Sequence, residues 1–215
     1  MYKKKYKINN AFLSFFLNSL VAILMINFFF QGARGKQIKE LSFHFFFEIF
    51  IFLIINIFLE SVLLSLTITH LISWLINGHI WVIFRYSSFY RHNLDDLRRK
   101  FLFIIDELIK NNNVDEIILI GSFTEGFNNI NSHSDLDIRI FFKNGFINYW
   151  KINYLIVLLR AYSFFKKIPL DIYALSDLSP LKHFKKNESI IILKDKKSTI
   201  QNFLDVNCIK YEIRN

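Results

Sequence analysis

The fold is decided by the stretch SDLDIRI, residues 134–140, in which polar and apolar side chains alternate. In an extended strand, this alternation sends the three aliphatic side chains into the core and leaves Asp135, Asp137 and Arg139 together on the opposite face. Two neighbouring carboxylates repel each other unless a cation lies between them. The stretch therefore predicts a strand with a divalent-metal site, although a solvated strand face is the alternative.

A second strand is predicted upstream, where the continuous apolar run Ile117–Ile120 is closed by Gly121. Such a run is typical of a strand that is buried on both faces. Gly121 lets the backbone turn sharply, and a helix beginning at Ser122 would direct free N–H groups at an anion. Residues 121–126, which end at Gly126, are therefore a candidate phosphate-binding turn, with an ordinary turn as the alternative.

A third strand is predicted at Leu170–Leu175, where Asp171 stands among apolar residues. A buried carboxylate is unfavourable unless it has a partner. A metal ion shared with Asp135 and Asp137 would provide that partner. The three aspartates are therefore candidate ligands of one metal site.

The elements around these strands predict a layered domain. Apolar residues at helical spacing predict a helix from about residue 94, capped by Asn93, and a long helix is predicted at 147–166. A short helix near 178–184 and a strand at 189–193 complete the pattern. Strands that alternate with helices indicate an α/β or α+β domain with a mixed sheet flanked by helices.

Together these features resemble the DNA polymerase beta-like nucleotidyltransferase superfamily, in particular its minimal members. The likeness consists of Gly121-Ser122, twelve intervening residues, the Asp135 and Asp137 pair and the later Asp171, and it covers roughly residues 93–193. In that family the glycine-serine turn binds the nucleoside triphosphate, and the three carboxylates hold two magnesium ions. The resemblance implies transfer of a nucleoside monophosphate from an NTP to an acceptor hydroxyl, with release of pyrophosphate.

The resemblance also assigns roles to residues. It implies that Asp135, Asp137 and Asp171 are catalytic metal ligands. It likewise implies that the nucleotide is bound by the turn residues, which are Gly121, Ser122 and Gly126. Many members of the family have a basic residue just before the second glycine, whereas this chain has Glu125, which opposes a triphosphate.

Arg139 lies on the same predicted strand face as the acidic pair. We expect its guanidinium to reach a phosphate and compensate for Glu125. A surface salt bridge is the alternative role.

The N-terminal part of the chain has a different composition. Residues 1–84 contain seven basic and three acidic residues, and the remainder of the 215-residue chain contains 20 basic and 15 acidic ones. The run Ala11–Phe30 has no charge and is long enough to cross a hydrocarbon core of about 30 Å. The composition predicts a membrane anchor over residues 1–90 and a nucleotidyltransferase-like domain over 91–215.

Two transmembrane helices are predicted within the anchor, at about 11–30 and 49–69, with an interfacial segment at 71–84. A signal peptide and a buried helix are the alternatives for the first of them. Basic residues precede the first helix and follow it in the short loop. This distribution favours both termini inside, which places the C-terminal domain in the cytoplasm.

Composition excludes several classes of protein. A single cysteine, Cys208, excludes an internal disulfide scaffold, and 53% hydrophobic residues exclude a disordered chain. The net charge of +9 is compatible with nucleic-acid binding, but the part of the chain that follows residue 84 has an excess of only five basic residues. Three functions therefore remain: an enzyme acting on a membrane-associated acceptor such as a glycan, a nucleotide-binding regulatory or sensor module without turnover, and, least favoured, a nucleic-acid binder.

Overall fold

The computed structural model describes residues 19–31, 36–85, 90, 93–121, 124, 131, 133–142, 145–179, 181, 190–206, 209 and 211–213. In the described part, the helices that precede the predicted domain are α1 (Leu20–Phe30), α2 (Ile38–Leu59), α3 (Val62–Asn77) and α4 (Ile80–Phe84). The elements that follow are α5 (Leu94–Lys110), β1 (Glu116–Ile120), β2 (Leu136–Phe141), α6 (Phe146–Lys166), β3 (Leu170–Leu175), β4 (Ile190–Asp195), α7 (Thr199–Val206) and β5 (Tyr211–Ile213).

The described strands form one mixed sheet in the order β3-β2-β1-β4-β5. β1 is antiparallel to β2 and β4, whereas β2 and β3 run parallel and are connected through α6. The register places Asp137 opposite both Ile120 of β1 and Asp171 of β3. The end of β1 and the beginnings of β2 and β3 therefore meet at the same end of the sheet.

Helices α5 and α6 cover one face of the sheet and form the main core with it. Five apolar side chains at helical spacing predict the buried face of α5. Four of them, Leu97, Phe101, Ile104 and Leu108, are fully buried, whereas Leu94 in the first turn is 38% exposed. The side chain of Asn93 caps this helix by accepting a hydrogen bond from the Asp95 N–H at 2.9 Å. The mixed sheet flanked by helices confirms the predicted fold class.

Some elements of the domain differ from the prediction. The structure also contains helix α7 and strand β5, which were not predicted. β5 pairs with β4 and is the edge strand opposite β3. The short helix predicted near 178–184 falls mostly outside the described residues.

The predicted helix over residues 49–69 is wrong as a continuous segment. α2 ends at Leu59, and α3 begins at Val62. Between them Glu60 adopts a left-handed conformation (φ 53°), and its N–H donates to the Asn56 carbonyl. The turn is made without glycine or proline, which are the residues that mark most turns in a sequence. The two helices fold back on each other, and we call them the apolar hairpin (residues 38–77).

The remaining segments predicted to lie in or on a membrane are only partly described. Of the predicted first span, 11–30, residues 11–18 lie outside the described part, and α1 covers the end. The predicted interfacial segment, 71–84, includes α4, which packs on the domain through the Trp81 indole N–H and the Phe164 carbonyl (2.8 Å). Within the described part, only α2 is long and apolar enough to cross a membrane, with a mean hydropathy of 2.1 over its most apolar window.

Candidate active site

The centre of the candidate site is the pair Asp137 and Asp171, which lie side by side on β2 and β3. Gly121 ends β1 next to Asp137 and has a positive φ of 85°. A Cβ atom on Gly121 would lie 3.2 Å from Asp137 Oδ2. The turn after β1 therefore needs glycine both for its backbone conformation and for its close approach to the carboxylate.

Asp137 is unfavourably placed for a negative charge. Burial and the neighbouring Asp171 raise the pKa of Asp137 well above its usual value, and a hydrogen bond between the two carboxyl groups adds to the effect. Asp137 Oδ1 is buried and has no hydrogen-bond partner in the described part of the structure. A cation beside this oxygen would satisfy the atom and reduce the repulsion.

Asp171, in contrast, is stabilised as an anion. Burial opposes its charge, but the Arg139 guanidinium and the hydrogen bond from Asp137 hold the pKa of Asp171 below its usual value. Arg139 Nη2 lies 3.7 Å from Asp171 Oδ2, and His79 Nδ1 lies 3.4 Å from Asp171 Oδ1. Burial lowers the pKa of His79 to about 3, so its imidazole is neutral at pH 7 and Arg139 provides the charge.

Asp135 stands just before β2 and forms an ion pair with Arg85 at the end of α4. The structure thus brings two of the three predicted carboxylates together and holds the third against an arginine. Within the described residues, no group of three or more His, Cys, Asp or Glu side chains is gathered to hold a metal ion.

The other predicted site residues are only partly described. Arg139 donates to the Asp171 and Ile138 carbonyls at 3.1 and 2.9 Å, and its guanidinium lies over the Tyr173 ring. Its predicted contact with phosphate stays a prediction. Ser122 and Gly126, together with Glu125, lie outside the described residues.

Two residues at the site, His79 and Arg85, were not predicted from the sequence. Both come from the segment assigned to the membrane anchor, about 50 or more residues from the nearest aspartate of the site. The signal that was available is weak: His79 follows a lone glycine, and Arg85 is the first basic residue after a long uncharged stretch. The fold alone brings them to the acidic pair.

Side chains at and next to the two ends of the apolar hairpin also form hydrogen bonds with backbone groups on the free edge of β3. Backbone groups on this edge, which has no neighbouring strand in the described sheet, are bonded by side chains from outside the sheet. In chain order the pairs are His79 with the Leu170 carbonyl (3.0 Å), Arg160 with the Ile172 carbonyl, Glu40 with the Ala174 N–H (3.4 Å) and Gln37 with the Ser176 N–H (2.9 Å). Three of these four side chains belong to residues 37–79, so this segment is integrated with the strand that carries Asp171.

The residues present fit a divalent cation in chemical type. Carboxylate oxygens are the ligands that Mg²⁺ prefers, and Asp137 Oδ1 is a buried oxygen that lacks a partner. Asp171 favours its ionised form beside it, whereas Asp135 is paired with Arg85.

Comparison with known proteins agrees with this geometry. Residues 99–198 match the family model of the nucleotidyltransferase domain, a range that includes Gly121, Asp135, Asp137 and Asp171. No significant match to the chain is found among curated proteins or among solved structures. Residues 99–198 therefore form a nucleotidyltransferase domain, as the resemblance to the DNA polymerase beta-like superfamily implies.

Proposed function

We propose that the chain is an active, Mg²⁺-dependent nucleotidyltransferase that moves a nucleoside monophosphate from an NTP to an acceptor hydroxyl. The observation that supports this most directly is the opposed pair of Asp137 and Asp171 beside the Gly121 turn, within a nucleotidyltransferase domain. A buried carboxylate oxygen without a partner destabilises the metal-free fold, which is typical of a site prepared for a cation.

In this proposal Asp137, Asp171 and, after release from Arg85, Asp135 hold the magnesium ions. Magnesium held by these residues would neutralise charge on the triphosphate and lower the pKa of the acceptor hydroxyl. Asp137 would bind such an ion in its ionised form, and a proton shared between the two carboxyl groups would pass to solvent. Arg139 pairs with Asp171 and orients it. The acceptor hydroxyl releases its proton to solvent and its oxygen forms a bond to the α-phosphorus. The bond from that phosphorus to the bridging oxygen breaks, and pyrophosphate leaves.

We place the acceptor at a membrane surface, as a membrane-associated molecule such as a glycan or a lipid-linked precursor. The support is the position of His79, which follows the apolar hairpin and lies 3.4 Å from Asp171. The acidic pair is thus next to the segment that carries the exposed apolar side chains. The need for NTP places the domain on the cytoplasmic side in this proposal.

The test uses the full chain in detergent with Mg²⁺, each of the four α-labelled NTPs in turn, and a membrane extract as the source of acceptor. We expect transfer of label to the extract with equimolar pyrophosphate, and no transfer by Asp137→Asn. Absence of label and pyrophosphate with every nucleotide would contradict the proposal.

A second candidate function is a nucleotide-binding regulatory or sensor module without turnover. It is favoured by the ion pair between Arg85 and Asp135, in which one of the three carboxylates is neutralised by an arginine. In the same experiment, this function gives NTP binding without release of pyrophosphate.

A further inference from the structure

The apolar hairpin has a distribution of side chains opposite to that of a water-soluble helix pair. The side chains that α3 buries are small or polar, and Ser65, Thr69 and Ser73 are at most 1% exposed. Large apolar side chains face outward instead, with Phe58 79% and Leu63 77% exposed. Small residues at a spacing of four on the contact face allow close approach of two helices, as in membrane proteins.

The exposed apolar surface surrounds the hairpin rather than forming one stripe. Consecutive residues at the tip of α2, Ile57, Phe58 and Leu59, are all exposed and therefore point in different directions around the helix. A protein partner or a second copy of the chain covers one face of a helix. A lipid environment contacts all faces, so it is the occupant that this pattern favours.

Both ends of the hairpin are fixed to the same domain. Near its beginning Glu40 pairs with Arg160 at 2.7 Å, and just after its end His79 bonds the Leu170 carbonyl at 3.0 Å. The hairpin must therefore enter and leave a membrane on the side where the domain lies.

A polar network limits how deeply the hairpin inserts. Glu48 contacts His70 at 2.9 Å and Gln31 at 3.0 Å, and Ser73 donates to Gln31 at 2.7 Å. Beyond this network α2 continues over residues 49–59, which rise about 16 Å at 1.5 Å per residue. That length is half of a hydrocarbon core of about 30 Å.

We infer that the apolar hairpin is a monotopic anchor, which inserts into one leaflet from the side of the domain and does not emerge on the other. This inference makes the membrane placement in the proposed function specific, and its test requires no substrate. Failure of the transfer reaction therefore leaves it intact, and failure of insertion leaves the transfer reaction open.

The first experiment probes the tip, using full-length Cys208→Ser chain bound to sealed vesicles of phosphatidylcholine and phosphatidylglycerol. Ser61→Cys, at the exposed turn between α2 and α3, is compared with Asn112→Cys on the domain surface. We expect external impermeant maleimide to label Asn112→Cys at once and Ser61→Cys only after detergent is added. Labelling of Ser61→Cys by reagent trapped inside the vesicles shows a complete crossing and overturns the inference. Labelling from outside shows no insertion and also overturns it.

The second experiment changes the surface itself. Phe58→Glu with Leu63→Glu should weaken binding to the same vesicles about a hundredfold, because a charged side chain is strongly disfavoured in hydrocarbon. The matched control is Val206→Glu on α7, which is 82% exposed and should bind like the wild type. Unchanged flotation of the double variant overturns the inference. So does a wild-type dimer that forms through the hairpin and leaves the vesicles unbound.

Discussion

Asp137 and Asp171 lie opposite each other on parallel strands, but their surroundings favour different protonation states. Arg139 holds Asp171 as an anion, while burial and that anion raise the pKa of Asp137. In the metal-free protein Asp171 is therefore the favoured position for a negative charge, and a second charge on Asp137 is disfavoured by burial and repulsion. The unpaired Oδ1 of Asp137 marks the position where a cation would change this balance.

This asymmetry predicts opposite effects of two similar substitutions on the metal-free protein. In EDTA at pH 8, Asp137→Asn should raise the free energy of unfolding, because burial and the Asp171 carboxylate disfavour the ionised form of Asp137 and raise its pKa. Asp171→Asn should lower the free energy of unfolding by about 1–3 kcal/mol, because Arg139 loses the carboxylate it faces. Thermal melts of the full chain in detergent measure both changes, with the exposed Asp106→Asn as control. A shift of the same sign in both variants would contradict the assignment.

We predict that substitution of Gly121 impairs ligand binding at the site more than it lowers the stability of the fold. Gly121→Ala places a methyl group 3.2 Å from Asp137 Oδ2 and requires a positive φ, which is strained by about 1–2 kcal/mol. Gly145→Ala is the matched control, since it also has a positive φ but its added Cβ meets Asn148 Nδ2 only at 3.7 Å. Both variants should lose similar stability in thermal melts. Only Gly121→Ala should also lose most of the Mg²⁺-dependent stabilisation by NTP, and an equal loss in both variants would remove Gly121 from the site.

We predict that the Arg85 guanidinium competes with Mg²⁺ for the Asp135 carboxylate. The Arg85 guanidinium neutralises a carboxylate that the proposed function needs for magnesium. Arg85→Ala should therefore lower the Mg²⁺ concentration for half-maximal thermal stabilisation about fivefold, equivalent to the roughly 1 kcal/mol of a partly exposed ion pair. Arg98→Ala, which removes a surface pair with Asp95, is the control. A higher Mg²⁺ requirement in Arg85→Ala would indicate that this arginine supports the site instead.

The sequence was most informative where a short pattern determines the local structure. The alternation around Asp137 and the apolar run before Gly121 predicted two strands, because strand periodicity and a turn glycine are local properties. That these strands are neighbours and meet at one end of the sheet is seen only in the structure. His79 and Arg85 were missed because the tertiary fold, not a local pattern, brings them to the aspartates. The turn at Glu60 was missed because a glutamate adopts the left-handed conformation there, against the usual preference for glycine.

The side-chain contacts at the free edge of β3 and the composition of the sequence lead to different predictions for the solubility of a shortened chain. The predicted division into an anchor over residues 1–90 and a domain over 91–215 implies that a chain beginning near Tyr90 is soluble on its own. In the structure such a chain lacks His79, Glu40 and Gln37, whose side chains bond the backbone of this edge. An exposed edge strand with unpaired backbone groups favours aggregation. We therefore expect a chain of residues 90–215 to aggregate or melt well below the full chain.

The ion pair between Arg160 and Glu40 gives a finer test of the same edge. Both side chains are almost fully buried and lie 2.7 Å apart, and Arg160 also bonds the Ile172 carbonyl next to Asp171. Arg160→Met leaves the Glu40 carboxylate buried without its cation, which should cost about 3–5 kcal/mol of folding stability. Adding Glu40→Gln to Arg160→Met removes the uncompensated negative charge of Glu40. The double variant should therefore regain more than half of the folding stability that Arg160→Met loses. Lys167→Met, at the exposed end of α6, is the control, and melts of the full chain in detergent measure all four proteins. If the double variant is no more stable than Arg160→Met, the ion pair between Arg160 and Glu40 does not stabilise the packing of the apolar hairpin against β3.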